Sequence, residues 1–590
     1  MSEQFPLPPV TNTEPVRGIS RRRFVKILGA ASVGSLLLSD DIYAREAIGV
    51  DFHHGVASGD PLADRVVIWT RATSPQASAF QVLWLVATDP GMRHIVTGGL
   101  AASDPSFDHT VKVDVAGLRP DTTYYYQFVY RRHRSPVGQT RTLAAGHLEH
   151  ARFAIVSCSN HPKGYFHGYR ELARMEDVTF VLHLGDYIYE YGPDGYVTTA
   201  NALLNFPQPR IAELSPPHEC LTLADYRARY ALYRTDPDLQ AVHQKKAFIC
   251  IWDDHETANN AWVQGAENHQ PDEGDWLTRR EAGIRAFYEW LPIREPSSGE
   301  RIQAWRSFAL GDLARLMVLE TRRAARDQQL DAADLVGVYA SATADGQFPL
   351  DVTPEGAPRE LLGYEQKAWF AEEMANAAVE QTWQLIGQQI LFFYQPAPDI
   401  LGTDLISDEQ REQLMQGLDS LFGPGAGLQF AQIGAQGGPN PAMADAWTGY
   451  PSAKRDLAQL LAQAPNPVVL SGDSHNSWAA NLKLATPQAV VPIGVEFGGT
   501  SISSPGFEQD LIMLTPEQTA AVTEQASLAN PYSDDLIYAD THRRGFVVID
   551  VTHERIQGEY YYLDTVIQPD YVLTLDRLMT VDRGVRQFNP

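Results

Sequence analysis

The feature that most restricts how this chain can fold is a set of short apolar runs that each stop abruptly in polar residues. Residues 153–156 lead into Ser157-Cys158-Ser159-Asn160, 180–184 into Gly185-Asp186, 247–252 into Asp253-Asp254, and 468–470 into Gly472-Asp473. Continuous apolar runs suit strands covered on both faces, whereas a sheet with one wet face alternates apolar and polar residues. An α/β region is therefore expected from Ala151 onward. In covered sheets of this kind, loops and ligands gather at the carboxyl ends of the strands. Four polar clusters far apart in the chain are thus predicted to share one edge. Helices are expected over residues 221–232, 276–291 and 365–381, and a Gly/Pro-rich loop over 423–441.

Residues 52 to about 143 have a different texture, with alternating strands expected at 66–69, 81–86, 110–115 and 124–130, separated by turn residues. Gly117-Leu118-Arg119-Pro120-Asp121-Thr122-Thr123-Tyr124 resembles the turn and tyrosine-bearing strand of a fibronectin-type or immunoglobulin-like sandwich. His53 and His54 are adjacent, so on a strand they face opposite ways and do not share a ligand. A structural role is expected for this sandwich.

The first 16 residues are polar and Pro-rich; Ser20-Arg21-Arg22-Arg23-Phe24-Val25-Lys26 then precedes an uncharged stretch, 27–38. That stretch is well short of the roughly 20 residues that span a bilayer. It reads as an export signal that resembles the twin-arginine type, which carries proteins already folded. Cleavage is expected after Ala44, giving a periplasmic or extracellular protein without a transmembrane anchor. The expected organisation is a signal over 1–45, a β-sandwich over 46–147 and a catalytic α/β region over 148–590.

Lys and Arg total 47 against 73 Asp and Glu, a formal net charge of −26, which excludes nucleic-acid binding by bulk charge. Three cysteines allow at most one internal bridge; Cys220 and Cys250 either pair or stay buried and free. No Gly-x-Ser-x-Gly elbow supports Ser-His-Asp hydrolysis.

The chemistry lies in the polar clusters. Asp186 and Tyr189 stand three apart after a strand, so a carboxylate and a phenol can meet at one hard cation, and the carboxylate has a second oxygen for a neighbouring ion. Asp253-Asp254-His255-Glu256 is a like-charge cluster that is costly unless cations neutralise it; the alternative is a solvated acidic loop. Asp473 and His475 are two apart, which on extended backbone puts both on one face. Cys158 alone would read as a buried inert thiol. Together, on successive strand ends, the four motifs point to a dinuclear metal site.

These motifs, in this order, resemble those of the PhoD-type alkaline phosphatases and phosphodiesterases over nearly the whole chain. Gly55-Val56-Ala57-Ser58-Gly59-Asp60-Pro61 and Arg65-Val66-Val67-Ile68-Trp69-Thr70-Arg71 are similar to that family's N-terminal domain, and the Asp-x-x-Tyr and Asp-His-Glu elements are more distantly similar to purple acid phosphatases. The resemblance implies a four-layer α/β metallophosphatase sandwich preceded by a small all-β domain. It implies a ferric ion (Fe3+) on Cys158, Asp186, Tyr189 and His475, with Asp186 bridging to calcium (Ca2+) on Asp254 and Asp473. Asp253 joins as a further candidate ligand, while His255 and Arg322 are expected at the phosphate or leaving oxygen. Three positions depart from the family pattern: Glu320-Thr321-Arg322 for Asp-Thr-Arg, Gly387-Gln388-Gln389 for Gly-Asn-Gln, and Glu559-Tyr560-Tyr561-Tyr562 for a tryptophan-bearing strand.

The implied function is hydrolysis of phosphate monoesters or diesters by attack of a metal-bound hydroxide, with substrate choice expected in 191–221 and 401–449. The alternatives are a phosphodiesterase or phospholipase D-like hydrolase of the same fold, and a non-catalytic metal-containing binding protein.

Overall fold

A computed structural model describes residues 49–590 apart from 76–77, 194, 196–206, 331–356, 405, 439, 441–442, 507–514, 516–517, 519 and 530–534. The expected signal and its cleavage position after Ala44 lie outside the described residues.

All four apolar runs form buried strands, and they divide between two large sheets. The nine-stranded sheet runs Leu573–Asp582, Arg555–Leu563, Arg544–Thr552, His150–Val156, Phe180–His183, Ala247–Cys250, Val56–Gly59, Arg65–Arg71, Thr110–Ala116. The seven-stranded sheet runs Arg306–Leu310, Ala314–Val318, Trp383–Gly387, Pro467–Ser471, Val490–Gly498, Ser477–Ala485, Leu536–Asp540. His150–Val156, Phe180–His183, Ala247–Cys250 and Val56–Gly59 are mutually parallel, as are Ala314–Val318, Trp383–Gly387, Pro467–Ser471 and Val490–Gly498. Parallel pairing needs both faces covered, and the apolar runs supply the surface for it.

The sheets face each other through Ile155, Leu182, Leu316, Leu385 and Phe497, which belong to one continuous core. Helices Gly363–Glu380 and Pro451–Gln463 cover the seven-stranded sheet, burying Phe370, Met374, Leu457 and Leu461 against Met317, Ile386 and Val469. His167–Arg174 and Pro237–Lys245 cover the nine-stranded sheet. The result is the four-layer α/β sandwich. The helices expected near 221–232 and 276–291 form as Leu223–Tyr233 and Trp276–Trp290, begun by the side-chain caps Thr222 and Asp275.

The N-terminal β region is a sandwich, one layer of which continues the nine-stranded sheet. Its own five-stranded sheet holds Ile95–Ser103, Phe80–Ala87, Thr123–Tyr130, His133–Arg134 and Gly138–Arg141. The facing layer, Val56–Gly59, Arg65–Arg71 and Thr110–Ala116, extends the catalytic sheet through Ser58 opposite Ala247 and Gly59 opposite Phe248. Val66, Ile68, Val111 and Val113 pack across to Trp84, Tyr126 and Phe128. Tyr124 Oη accepts the Arg119 N–H at 2.9 Å, fixing the turn before its strand. His54 is buried edge-on against Trp290, and burial lowers its pKa to about 3.

The expected loop over 423–441 is corrected by a helix, Ala426–Ala435, which follows another at Asp408–Phe422. Gly423 and Gly425, both with positive φ, turn the chain between them, while Phe430 and Ile433 pack on Leu414 and Leu418. The glycines punctuate two helices, and the apolar spacing decides the rest.

Candidate metal centre

The carboxyl ends of the parallel strands all open on one place, where the backbone is unusually contorted. Cys158, Asp186, Asp473 and His475 all have left-handed backbone, with φ of 59°, 55°, 63° and 59°. Non-glycine residues seldom adopt it, and such strain gathers at functional sites. Gly185, with φ of 109°, lets two strand ends touch, since a Cβ there would lie 2.3 Å from that of Asp253. The Cys158 and Ser159 N–H groups donate to the carbonyls of Gly185 and Asp186 at 3.1 and 2.8 Å, locking the first two loops together.

Tyr189 joins the donors. Its Oη donates to Asp186 Oδ2 at 3.0 Å, lies 3.0 Å from His475 Nε2 and accepts from Ser504 Oγ at 2.7 Å. His475 Nδ1 lies 2.6 Å from the Pro505 carbonyl, which only accepts, so Nδ1 carries the proton and Nε2 turns its lone pair to the centre. Burial holds the ring neutral, with a pKa of about 3. Donor atoms of Cys158, Asp186 and His475 fall within 4.8 Å of one another, and so do those of Asp186, Asp254 and His255. Asp186 therefore belongs to two donor groups at once.

A third such group at this centre is Asp253, Asp254 and Asp473. Burial, reinforced by neighbouring carboxylates, raises the pKa of Asp186 and Asp473 far above the usual range, and burial with Asp186 does the same to the Cys158 thiol. Such groups ionise together only around cations. Asp253 Oδ2 and Asp254 Oδ1 are buried and make no hydrogen bond among the described residues. Orphaned carboxylate oxygens are expensive without a partner. Thiol, phenol and imidazole on one side and oxygen alone on the other therefore fit two metal positions.

Arg322, expected at the phosphate or leaving oxygen, stands among the carboxylates of the centre. Its buried guanidinium bonds Asp253 Oδ1 through Nε, Asp473 Oδ1 at 2.7 Å and Asp445 Oδ2 at 3.2 Å, and stands 3.8 Å from Asp254 Oδ1. All three nitrogens are on carboxylates. His255 Nδ1 is held 2.7 Å from Glu190 Oε2. Burial opposes charge on this ring, but Asp254, Glu190 and Asp186 together raise its pKa well above the ordinary value.

Sequence reasoning missed the groups that hold these donors. Glu256 accepts three backbone N–H groups, from Asp186 at 3.1 Å, Tyr187 at 2.5 Å and Asp253 at 2.7 Å, clamping two donor loops; burial lifts its pKa to about 7. Glu190 and Asp445 likewise act through partners that only the fold brings near. The three departures have structural uses. Glu320 accepts from Trp252 Nε1 and from the Arg322, Arg323 and Ala324 N–H groups at 2.7–2.8 Å, so the longer acid caps its own turn. Gln388 spends its amide on Trp447 Nε1 and the Ile390 carbonyl, at 2.7 and 2.5 Å, and Gln389 on Thr321 and Trp252. Glu559 pairs with Arg152 inside the nine-stranded sheet. Cys220 and Cys250 are both buried and free, so the pairing alternative is not realised.

Residues 153–560 match the family model described as PhoD-like phosphatase, and 38–144 that of the PhoD-like phosphatase N-terminal domain. Alkaline phosphatase D of Bacillus subtilis (strain 168) is 33% identical over 575 residues, covering 93% of this chain and 85% of the relative. A solved structure titled "Structure of PhoD" superposes with a TM-score of 0.70 at 28% identity, over 92% of this chain and 93% of its own. With two family models and a relative matched over most of both chains, the chain belongs to the PhoD-like phosphatase family and is a phosphatase.

Proposed function

We propose that this protein is an exported, metal-dependent hydrolase of phosphate monoesters and diesters. One observation carries the reading: thiol, phenol, imidazole and carboxylate from distant stretches of chain meet around Asp186, beside orphaned carboxylate oxygens. Cys158, Asp186, Tyr189 and His475 would hold ferric iron, and Asp186, Asp254 and Asp473 calcium, with Asp253 adjoining. When bound, the ions would acidify the attacking water and neutralise phosphoryl oxygens that a chain of net charge −26 otherwise repels.

The side chains supply the rest. His255, held protonated among carboxylates with Nδ1 on Glu190, offers Nε2–H to a phosphate oxygen or the departing alkoxide. Arg322 fixes Asp253 and Asp473 and balances their charge; in this geometry it is a positioning residue. No helix among the described residues is long and apolar enough to cross a membrane. The Arg-Arg signal supports export by the twin-arginine machinery to the periplasm or beyond.

Turnover of a monoester and a diester should be measured for Asp186→Asn and Asp254→Asn. Asp186→Asn touches both positions and should lose more than about 100-fold, the upper range for outer partners of a metal site, with Asp254→Asn losing less. Equal, modest losses would contradict a bridging Asp186.

A further inference from the structure

At the opposite edge of the sheets, where the parallel strands begin, a second group of ligating side chains stands well away from the centre described above. His147 precedes the strand His150–Val156, Asp312 precedes Ala314–Val318, and His553 follows Arg544–Thr552. Arg544, at the other end of that last strand, donates to the His475 carbonyl, so the strand's length, roughly 27 Å for eight rises, separates the two places.

His147 Nδ1 lies 2.9 Å from Asp312 Oδ2, and His553 Nε2 lies 3.5 Å from Asp312 Oδ1. The imidazole rings are parallel within 6°, with centroids 5.2 Å apart, and one donor atom from each of the three residues falls within 4.8 Å of the others. His553 Nε2 is shielded from solvent and makes no hydrogen bond among the described residues, although it faces a carboxylate. Its other nitrogen, Nδ1, is 2.7 Å from Thr382 Oγ1, which orients the ring. The backbone beneath is tied in advance: Asp312 N donates to Gly146 O at 2.8 Å, Thr382 N to Asp312 O at 3.0 Å, and Leu148 N to Asp312 Oδ1 at 3.0 Å.

We propose that His147, Asp312 and His553 form a binding site for one borderline divalent cation of the zinc class, clamping the start of the catalytic region to a hairpin of each large sheet. Two imidazoles and a carboxylate suit that class, and water completes the coordination. The two imidazoles approach the carboxylate from either side, His147 Nδ1 at Oδ2 and His553 Nε2 at Oδ1, and one donor atom from each residue lies within 4.8 Å of the others, within reach of a single ion. The cation takes the place of the hydrogen bond between His147 Nδ1 and Asp312 Oδ2.

The test uses the full-length protein with its main centre loaded, and zinc as the probe. Zinc stoichiometry and affinity are measured by titration, and histidine modification by diethyl pyrocarbonate is mapped by mass spectrometry with and without zinc. The wild type should bind one further equivalent, which His147→Ala and His553→Ala each weaken at least tenfold, and zinc should protect His147 and His553 from modification. Phosphatase turnover should be unchanged in both variants. Unaltered zinc binding in both variants, or modification at the same rate with zinc present, would overturn the site. Zinc loss accompanied by a proportional fall in turnover would place the ion at the main centre instead, and equally overturn it.

Discussion

At the scale of single residues, the donors and the groups that hold them obey different rules. Glu256 shows this best, because one carboxylate gathers the N–H groups of Asp186, Tyr187 and Asp253. Glu256→Gln keeps the shape but turns an NH2 toward a donor, leaving buried N–H groups unpaired at about 1–3 kcal/mol each. Thermal denaturation should show that loss, and turnover should fall with it; an unchanged midpoint would remove Glu256 from this role. The candidate donors could be named from the amino-acid sequence, since Cys158, Asp186, Asp253 and Asp473 each stand one to three residues after an apolar run. Glu256 was visible only as a member of the acidic cluster, and Glu190 and Asp445 were not legible at all. Their partners are backbone amides, an imidazole and a guanidinium that only tertiary structure delivers.

Among the elements, the decisive ones are the loops that leave the strands in left-handed conformation. Gly185 permits the loop carrying Asp186 to touch the loop carrying Asp253, and a methyl group there would meet Asp253 backbone N at 2.6 Å. Gly185→Ala should therefore shift both loops and lower turnover by about a hundredfold, the cost of misplacing catalytic groups by an ångström. A variant with wild-type turnover would show that the close approach is dispensable. Strands and capped helices follow from apolar periodicity, which is why 153–156 and 276–291 were readable. The helix Ala426–Ala435 was obscured because two flanking glycines and nearby prolines carry the stronger local signal.

For the molecule as a whole, one layer of the N-terminal region is part of the catalytic sheet. The pairing of Val56–Gly59 with Ala247–Cys250 joins segments far apart in the chain, so no local pattern announced it. Asp60, fully buried, reinforces the junction with bonds to Arg306 at 2.8 and 3.1 Å and to the Arg294 N–H at 2.8 Å. Breaking one side of such a pair costs about 3–5 kcal/mol. Asp60→Ala should lower stability by that order in a denaturant titration and unfold in one transition, whereas two separate transitions would mean that the regions fold independently. The proposed activity requires that the donors around Asp186 hold iron beside a second cation. Its most direct test is elemental analysis combined with visible absorption of the natively exported protein and of Tyr189→Phe. The expected result is bound iron and calcium with a coloured protein whose band is lost or shifted in Tyr189→Phe; a colourless, iron-free protein of full activity would contradict it.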